Sequence, residues 1–424
     1  MEKKLLKEIA YEQQEALKSR ELGVIREKMA LIQKYVRLPH VVVISGIRRV
    51  GKSTLLAQII DRFYKDEAYY LNFEDERLID FKLSDFDALY ETFIELFGEK
   101  KTFFFDEIQN IKGWEAFVRR MYDRKFKFFL TGSNASLLSK ELGTRLTGRF
   151  LPIELFPFSF QEFLKFKGYA LAEKALLLTR ERGKIRGYFS EYLREGGMPE
   201  YIKYNDLDIL KRIYDDILYR DIVARYKIKE VEALREIGLY FLSNISNLFS
   251  YNKLKHALHL GSINTVKNFA GYLENAFMIF VLNIFSYSLK QQWIAPKKIG
   301  CIDNGLANAV AFKFSENRGA FLENLVGIEL KRRGEQVYYY RGGKEREADF
   351  LVKRGRKIED VIQVSLEIGR AGTKDREIEA LLSALKEFKL KQGLILTEDN
   401  EDEIRMAGKK IIVKPVYKWL LENL

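Results

Sequence analysis

One short stretch near position 50 constrains the fold more than any other part of the sequence. It follows the apolar run 41–44 and carries two glycines with four residues between them, followed by Lys and Ser: Gly46-Ile47-Arg48-Arg49-Val50-Gly51-Lys52-Ser53-Thr54. The apolar residues after it have helical spacing, so a strand, a glycine-rich loop and a helix are predicted in that order. Such a loop turns its backbone N–H groups inward, and the helix dipole favours an anion at the same point. The stretch therefore predicts a phosphate-binding loop.

The residue types in this loop each have a chemical reason. Gly46 and Gly51 allow a tight backbone path around a phosphate chain. Lys52 is expected to reach the β- and γ-phosphates of a nucleotide, and Ser53 to bind Mg²⁺ through its hydroxyl. We expect all of residues 46–54 to belong to the nucleotide-binding site. A glycine-rich turn without a ligand is the alternative, which the flanking strand and helix disfavour.

Two adjacent carboxylates, Asp106 and Glu107, follow a predicted strand at 101–105. Beside a phosphate-binding loop, Asp106 is expected to hold Mg²⁺ and Glu107 to polarise the attacking water as a general base. An ordinary polar turn is the alternative.

A further strand, 127–130, leads to a polar tip at which we expect Asn134, or Ser133 in its place, to contact the γ-phosphate or the water. A turn without a catalytic role is the alternative there.

The order of these motifs resembles the AAA+ ATPases. More narrowly, it resembles an archaeal and bacterial ATPase family with a Gly-x-Arg-Arg-x-Gly-Lys loop, an Asn-Phe-Glu-Asp-type segment (here 72–75) and a Pro-Phe-Ser-Phe-x-Glu-Phe segment (here 157–163). The resemblance implies that Arg149, before a fifth strand, acts as an arginine finger on the nucleotide of a neighbouring subunit. A homo-oligomer follows from that role. Arg145 is a competing candidate, and a surface arginine without a role is the alternative.

Residues 166–225 predict a helical lid that is interrupted at 196–200. By resemblance to signalling ATPases, Pro199 is expected to touch the adenine, with a rigid turn between helices as the alternative.

Residues 226–300 carry 9 basic and 4 acidic groups, the clearest local excess of basic over acidic residues in a chain of net charge +12. Because excess positive charge favours an anionic polymer, DNA is the expected partner of this segment.

The same segment predicts a winged helix-turn-helix. Two helical runs flank 259–261, and apolar alternation at 277–282 with Lys290, Lys297 and Lys298 suggests a β-ribbon. Side chains near the start of the second helix are expected to face a duplex, and two lysines of the first helix to grip phosphates: Asn264, Thr265, Lys267, Asn268, Lys253 and Lys255. A protein–protein module is the alternative.

The C-terminal segment resembles the restriction-endonuclease-like fold. An active member has a helical acid, a strand Asp and a Glu-x-Lys pair, which together bind Mg²⁺ and activate water. Glu323 and Asp349 match, whereas Gln363 and Ser365 stand where Glu and Lys belong. The resemblance therefore implies a degenerate nuclease domain, useful for binding DNA or another subunit. Lys353 and Lys374 are the lysines that could substitute in space.

These observations predict an α/β protein with an AAA+ parallel sheet, a helical lid, a winged helix-turn-helix and a restriction-endonuclease-like domain. The expected divisions are a helical segment at 1–34, which packs on the core or on a neighbouring subunit, and then 35–165, 166–225, 226–300 and 301–424. The predicted function is Mg²⁺-dependent ATP hydrolysis by a DNA-associated homo-oligomer. A signalling ATPase switch that acts on a protein partner and an ATP-gated nuclease are the alternatives.

Bulk properties set the expected location. No apolar run approaches the length of a membrane span, so no membrane partner is expected, and the N-terminus does not read as a signal peptide. A single cysteine, Cys301, excludes an internal disulfide framework. We therefore expect a cytoplasmic protein.

Overall fold

The computed structural model describes residues 1–138, 144, 146, 148–172, 175–312, 317–342, 347–367 and 373–422, with the backbone alone at 136, 138 and 373–376. The chain divides into two compact units. One comprises Met1–Phe156 with Asn275–Phe277, and the other comprises Pro157–Glu274 with Met278–Leu424. Across the described ranges, no helix combines the length and the apolar character needed to cross a membrane. The five-part division predicted from the sequence stays a prediction.

The first unit is built on a five-stranded sheet with the order β2-β3-β4-β1-β5, in which all neighbouring strands are parallel. Its strands are β1 Val41–Ser45, β2 Tyr69–Asn72, β3 Thr102–Asp106, β4 Lys127–Gly132 and β5 Phe150–Glu154. β1 and β3 are buried at every position, as expected for strands with both faces covered. Because the strands are parallel, the segments that follow β1, β3 and β4 all leave the sheet on the same side, at the C-terminal ends of the strands.

In the described part of this unit, the α-helices that accompany the sheet are α1 Lys3–Lys18, α2 Met29–Val36, α3 Lys52–Ile59, α4 Phe86–Phe97 and α5 Trp114–Asp123. The N-terminal segment packs on the core of its own chain, since Leu6, Ile9 and Ala10 of α1 are part of the hydrophobic core. Gln13 and Gln14 of α1 also accept hydrogen bonds from backbone N–H groups of the edge strand β2, at 2.6 and 3.1 Å. These hydrogen bonds occupy two backbone N–H groups of β2 that could otherwise pair with a strand of another chain.

The second unit begins with helices: α6 Phe160–Phe166, α7 Thr179–Glu195, α8 Pro199–Tyr204, α9 Leu207–Asp216 and α10 Val231–Ser243. A π-helical stretch, Ile217–Ala224, follows α9. The sequence predicted helices over this region with a break at 196–200, and the break lies between α7 and α8.

After α10 the elements are β6 Leu248–Phe249, α11 Tyr251–Ala257, α12 Ile263–Asn275, β7 Ile279–Leu282, α13 Leu289–Ile294 and β8 Lys297–Cys301. The strands form an antiparallel sheet with the order β6-β8-β7. Two helices followed by two paired strands is the order expected from the sequence, and Ser262 accepts a hydrogen bond from the Asn264 N–H at 3.1 Å at the start of α12. Lys290 lies on α13 and not on a strand, so the ribbon is interrupted by a helix. The winged-helix assignment stays a prediction.

The C-terminal part of the second unit is a separate sheet domain. Its six strands have the order β13-β14-β12-β11-β10-β9, and their bounds are β9 Gln336–Arg341, β10 Glu347–Arg354, β11 Lys357–Ser365, β12 Gln392–Thr397, β13 Asp402–Met406 and β14 Lys409–Pro415. β10 pairs antiparallel with both β9 and β11, and β12 pairs parallel with both β11 and β14. The helices are α14 Asn304–Val310, α15 Arg318–Arg332, α16 Thr373–Glu387 and α17 Val416–Leu420.

Candidate functional site

The glycine-rich loop connects β1 to α3 by a path that needs its glycines. A Cβ atom at Gly46 would lie 2.2 Å from the carbonyl oxygen of Leu155, so no larger residue fits there. Gly51 has φ +97° immediately before the first residue of α3, a conformation that side chains disfavour. Arg49, inside the loop, also has a left-handed φ, of 60°. The loop thus has the backbone form of an anion cradle at a helix N-terminus.

Lys52 is the first residue of α3, and its side chain turns back over the loop. Its ammonium group donates to the carbonyl oxygens of Gly46 and Ile47 at 3.2 and 3.3 Å. It also lies 3.3 Å from Oε1 of Glu107, and only 4% of its side chain is exposed. The sequence predicted that the loop lysine and the acid pair lie at one site, and the geometry brings Lys52 and Glu107 into contact.

Asp106, the last residue of β3, is fully buried and accepts hydrogen bonds from three hydroxyl groups. The donors are Ser53 of the loop, Thr131 of β4 and Tyr70 of β2, whose phenol oxygen is 3.2 Å from Oδ2. Burial raises the pKa of Asp106, the charge of Glu107 raises it further, and the hydroxyls of Ser53 and Thr131 oppose the rise. Ser53 and Asp106, the two predicted Mg²⁺ ligands, are therefore in direct contact.

Glu107 adopts a left-handed backbone conformation, with φ 51° and ψ 42°. A residue other than glycine pays for this conformation, and such strain is found preferentially at functional sites. Its N–H donates to the Thr131 hydroxyl at 3.0 Å, and its carboxylate accepts from the Gln109 side-chain amide. Burial raises the pKa of Glu107, but Lys52 and Gln109 together outweigh burial and hold it below its ordinary value. The two adjacent acids are thus shifted in opposite directions, a pattern that separates their roles.

The tip of β4 packs directly on this acid pair. A Cβ atom at Gly132 would lie 2.1 Å from Oε1 of Gln109, which leaves no space between β4 and the Glu107 partner. Ser133 and Asn134 follow, with only 2% and 3% of each residue exposed. The Ser133 hydroxyl is buried, and among the described residues it has no hydrogen-bond partner. Both predicted tip residues therefore follow directly on a strand end that contacts the acid pair through Thr131, and their contact with a phosphate stays a prediction.

Arg149 lies at the N-terminal ends of the parallel strands, opposite the ends from which the glycine-rich loop and the acid pair leave. Its carbonyl oxygen accepts from the N–H of Val41, the first residue of β1, at 3.0 Å. Its guanidinium group forms an ion pair with Asp123 and lies 5.4 Å from the centre of the Tyr122 ring. Because Lys52 follows the other end of β1, Arg149 is remote from the loop of its own chain. Its role in a neighbouring subunit stays a prediction, and Arg145 lies outside the described residues.

Several residues of the site could not be found from the sequence. Arg26, of which 5% is exposed, donates to the carbonyl oxygens of Val50 in the loop and Phe156, at 2.9 and 2.6 Å. Tyr70, Thr131 and Gln109 complete the surroundings of the acid pair. None of these belongs to a motif, and Arg26 is 24 positions from Val50. Only the position of Thr131 at a predicted strand end was a usable signal.

Pro199 belongs to the second unit, where it is the first residue of α8. The preceding turn is fixed by Asp303, whose carboxylate accepts from the Gly197 N–H at 2.6 Å. A Cβ atom at Gly196 would lie 2.2 Å from the same carboxylate. These contacts fit the alternative of a rigid turn between helices, and the adenine contact stays a prediction.

The nuclease-like residues lie in the C-terminal domain. Glu323 on α15 and Asp349 on β10 both contact Lys298 of β8, a lysine that was predicted to belong to a basic ribbon. Gln363 on β11 accepts from the Asp349 N–H at 3.2 Å, and Ser365 donates to the Glu367 carbonyl at 3.1 Å. Of the suggested substitutes, Lys353 donates to Gln336 at 3.1 Å, and the side chain of Lys374 lies outside the described residues.

Comparison with known proteins agrees with this architecture. A family model described as "AAA domain" (AAA_14) matches residues 39–164, and two described as domains of unknown function, DUF8612 and DUF4143, match 186–317 and 318–419. The uncharacterized protein MJ1544 of Methanocaldococcus jannaschii is 37% identical over 399 residues, covering 89% of this chain and 88% of the relative. An uncharacterized protein of Haemophilus influenzae is 31% identical over 396 residues, covering 90% and 94%.

The parallel sheet and its loop define a protein of the AAA+ ATPase class, and this fold suggests ATP binding. The chain belongs to the family that includes the Methanocaldococcus and Haemophilus relatives, with an AAA domain and a C-terminal DUF4143 domain.

Solved structures give weaker similarities. The Aeropyrum pernix ORC1 protein in complex with DNA has a TM-score of 0.32 at 12% identity, covering 68% of this chain and 93% of that chain. AMPPCP-bound DnaA from Aquifex aeolicus has a TM-score of 0.26 at 17% identity, covering 59% and 89%. Both scores are too low to support an inference about function.

Proposed function

We propose that this protein binds ATP and hydrolyses it with Mg²⁺, that it works as a homo-oligomer, and that it associates with DNA. The observation that carries the ATPase proposal is the convergence of Lys52, Asp106 and Glu107 at one edge of a parallel sheet, beside a glycine-rich loop. A cation for phosphate, a carboxylate for a metal and a second carboxylate for water are the groups that phosphoryl transfer requires.

The residues present fit a magnesium–triphosphate. At Gly46 a side chain would clash with the Leu155 carbonyl oxygen, and at Gly51 a side chain would strain the backbone, so both positions of the phosphate-binding loop require glycine. The hydroxyl of Ser53 and the carboxylate of Asp106 already meet, and an oxygen pair of this kind suits Mg²⁺. When bound, Mg²⁺ would neutralise charge on the β- and γ-phosphates. The loop residues 46–54 would then surround the phosphate chain.

Glu107 is the residue that we assign to the attacking water. Its carboxylate is kept ionised by Lys52 and Gln109, and an ionised carboxylate can accept a proton. Asn134 would orient the water or the γ-phosphate from the tip of β4. Arg149 would stabilise the transferring phosphoryl group of the neighbouring subunit, as arginine fingers do.

The test is ATP hydrolysis by the full chain with Mg²⁺ and with EDTA, together with nucleotide binding measured by calorimetry. Lys52→Ala is expected to lose both, because the phosphates lose their cation. Lys4→Ala, which removes an exposed lysine of α1, is the matched control and should behave as the wild type. Wild-type protein that binds no ATP would refute the proposal.

The DNA part of the proposal is supported by exposed polar and basic side chains on two successive helices. Lys253 on α11 and Asn264, Lys267 and Asn268 on α12 are all exposed. Side chains at the start of a second helix are those that reach base edges in helix-turn-helix proteins. ATP hydrolysis titrated with duplex, single-stranded and branched DNA tests it, with Lys253→Glu/Lys267→Glu as the variant. Hydrolysis that DNA never stimulates would favour the signalling-switch alternative.

A further inference from the structure

One buried ammonium group in the second unit is surrounded by three carboxylates. Lys298 Nζ lies 2.8 Å from Glu323 Oε1, 3.0 Å from Glu347 Oε1 and 3.1 Å from Asp349 Oδ1. Only 4% of the Lys298 side chain is exposed. An ammonium group has three N–H donors, so each carboxylate can receive one. Burial lowers the pKa of Lys298, but the three carboxylates outweigh burial and hold it well above its ordinary value.

The ammonium and the carboxylates come from different parts of the fold. Lys298 lies on β8 of the three-stranded sheet, whereas Glu323 lies on α15 and Glu347 and Asp349 lie on β10 of the C-terminal domain. The contact therefore joins the 226–300 segment to that domain inside the second unit. Burial and the charge of Asp349 raise the pKa of Glu323 to about 8, against the opposing charge of Lys298. The acidic groups therefore depend on the buried positive charge to stay together.

By the resemblance to the restriction-endonuclease-like fold, Glu323 and Asp349 match the positions at which an active nuclease binds its metal ion. The remaining polar groups nearby serve other contacts. Oδ2 of Asp349 accepts from the Val364 N–H at 2.9 Å, and Gln363 connects the Asp349 N–H to the side chain of Glu377. Within the described part of the chain, no group of three or more His, Cys, Asp or Glu side chains could hold a metal ion as placed.

We propose that the Lys298 ammonium is a built-in replacement for the divalent metal ion of a nuclease-like site, and that it fastens β8 to the C-terminal domain. An ammonium group supplies the positive charge that the carboxylates need. It cannot coordinate and acidify a water molecule, which is what a catalytic metal ion does. The site then stabilises the structure and cleaves no phosphodiester bond. This inference is independent of the proposed ATPase activity.

The test is the melting temperature of the full chain, without nucleotide, in Mn²⁺ and in EDTA. Lys298→Ala leaves three carboxylates around a space that a cation can enter, so Mn²⁺ should raise its melting temperature by several degrees. The wild type should show no such rise. In Lys298→Ala/Glu323→Gln/Asp349→Asn the rise should disappear, because only one carboxylate remains. A Mn²⁺ response of Lys298→Ala no larger than that of the wild type or the triple variant would overturn the proposal.

A second comparison covers the case in which Lys298→Ala does not fold. Removing the carboxylates together with the lysine, in Lys298→Met/Glu323→Gln/Glu347→Gln/Asp349→Asn, should restore solubility and cooperative melting, because no uncompensated charge is left. If this variant is as unstable as Lys298→Met alone, Lys298 is not the counter-ion. Plasmid nicking by the wild type in Mg²⁺ or Mn²⁺ that Asp349→Asn abolishes would also overturn the proposal.

Discussion

The ammonium group of Lys52 lies 3.3 Å from the carboxylate of Glu107. Only 4% of the Lys52 side chain and 12% of the Glu107 side chain are exposed, so each is an important counter-ion for the buried charge of the other. A phosphate chain that takes Lys52 must compete with Glu107 for the same cation. We infer that ATP binding at this loop also releases the Glu107 carboxylate for water.

This competition predicts that Glu107→Gln binds ATP at least as tightly as the wild type while its turnover falls by about two orders of magnitude or more. A neutral amide attracts Lys52 less than a carboxylate does, so the lysine is more available to phosphate. The same amide cannot accept a proton from water. Calorimetric binding of ATP and steady-state hydrolysis measure the two effects separately.

Glu91→Gln is the matched control for this substitution, because Glu91 is an exposed glutamate of α4 and lies 3.9 Å from Lys3. It should leave both binding and turnover unchanged. Turnover by Glu107→Gln at the wild-type rate would show that another group activates the water.

Arg26 is predicted to stabilise the glycine-rich loop through its hydrogen bond to the Val50 carbonyl oxygen. Arg26→Ala removes the two guanidinium hydrogen bonds to the carbonyl oxygens of Val50 and Phe156, which should cost about 2–5 kcal/mol of unfolding free energy. ATP affinity should fall as well, because Val50 belongs to the loop. Urea denaturation and calorimetry measure these changes.

Arg37→Ala, which removes an exposed arginine, should change neither quantity. Arg26→Lys keeps the charge but loses the fork that reaches two carbonyl groups, so an intermediate loss is expected. If Arg26→Ala retains wild-type stability, the two carbonyl groups have found other donors and the supporting role is wrong.

The sequence predicted the AAA+ sheet well because each of its signals is local. A strand is an apolar run, a loop is a glycine pattern, and the acids Asp106 and Glu107 follow directly from the end of β3. Parallel strand order then brings the ends of β1, β3 and β4 to one edge, so the contact of Lys52 with Glu107 followed from topology.

Residues that act across long separations could not be predicted in the same way. Lys298 is 51 positions from Asp349 and was interpreted as part of a basic ribbon, yet it is buried among carboxylates. A lysine on a surface and a lysine in an ion cluster have the same local sequence. The charge count of 226–300 consequently overstates the charge that is available to DNA.

Arg149 is predicted to act on the neighbouring subunit. Arg149→Ala should bind ATP normally and hydrolyse it slowly, and activity should return when it is mixed with Glu107→Gln. In such mixed oligomers, an intact Glu107 in one subunit can meet an intact Arg149 from the next. Hydrolysis measured over a range of mixing ratios, with oligomer size followed in parallel, tests this expectation.

Asp123→Ala is the control that separates catalysis from structure, because it breaks the ion pair with Arg149 but leaves the arginine in place. It should keep most of the activity. Arg149→Ala that hydrolyses ATP as fast as the wild type would assign Arg149 to the surface ion pair alone.

Asp303 gives a prediction about pH. Burial raises its pKa to about 6, although the N–H groups of Gly197 and Leu306 oppose the rise. The folded protein therefore holds a proton on Asp303 more strongly than the unfolded chain, in which an ordinary Asp pKa applies. Its contribution to stability is complete below about pH 4 and is lost as the pH rises through about 6.

The unfolding free energy of the wild type relative to Asp303→Asn should accordingly fall by about 1 kcal/mol between pH 5 and pH 7. Taking the difference between the two proteins removes the titration of all other groups, since they are common to both. Urea denaturation of each protein at the two pH values measures it. A difference that does not change with pH, or that grows as the pH rises, would mean that Asp303 is ionised in the folded protein throughout this range.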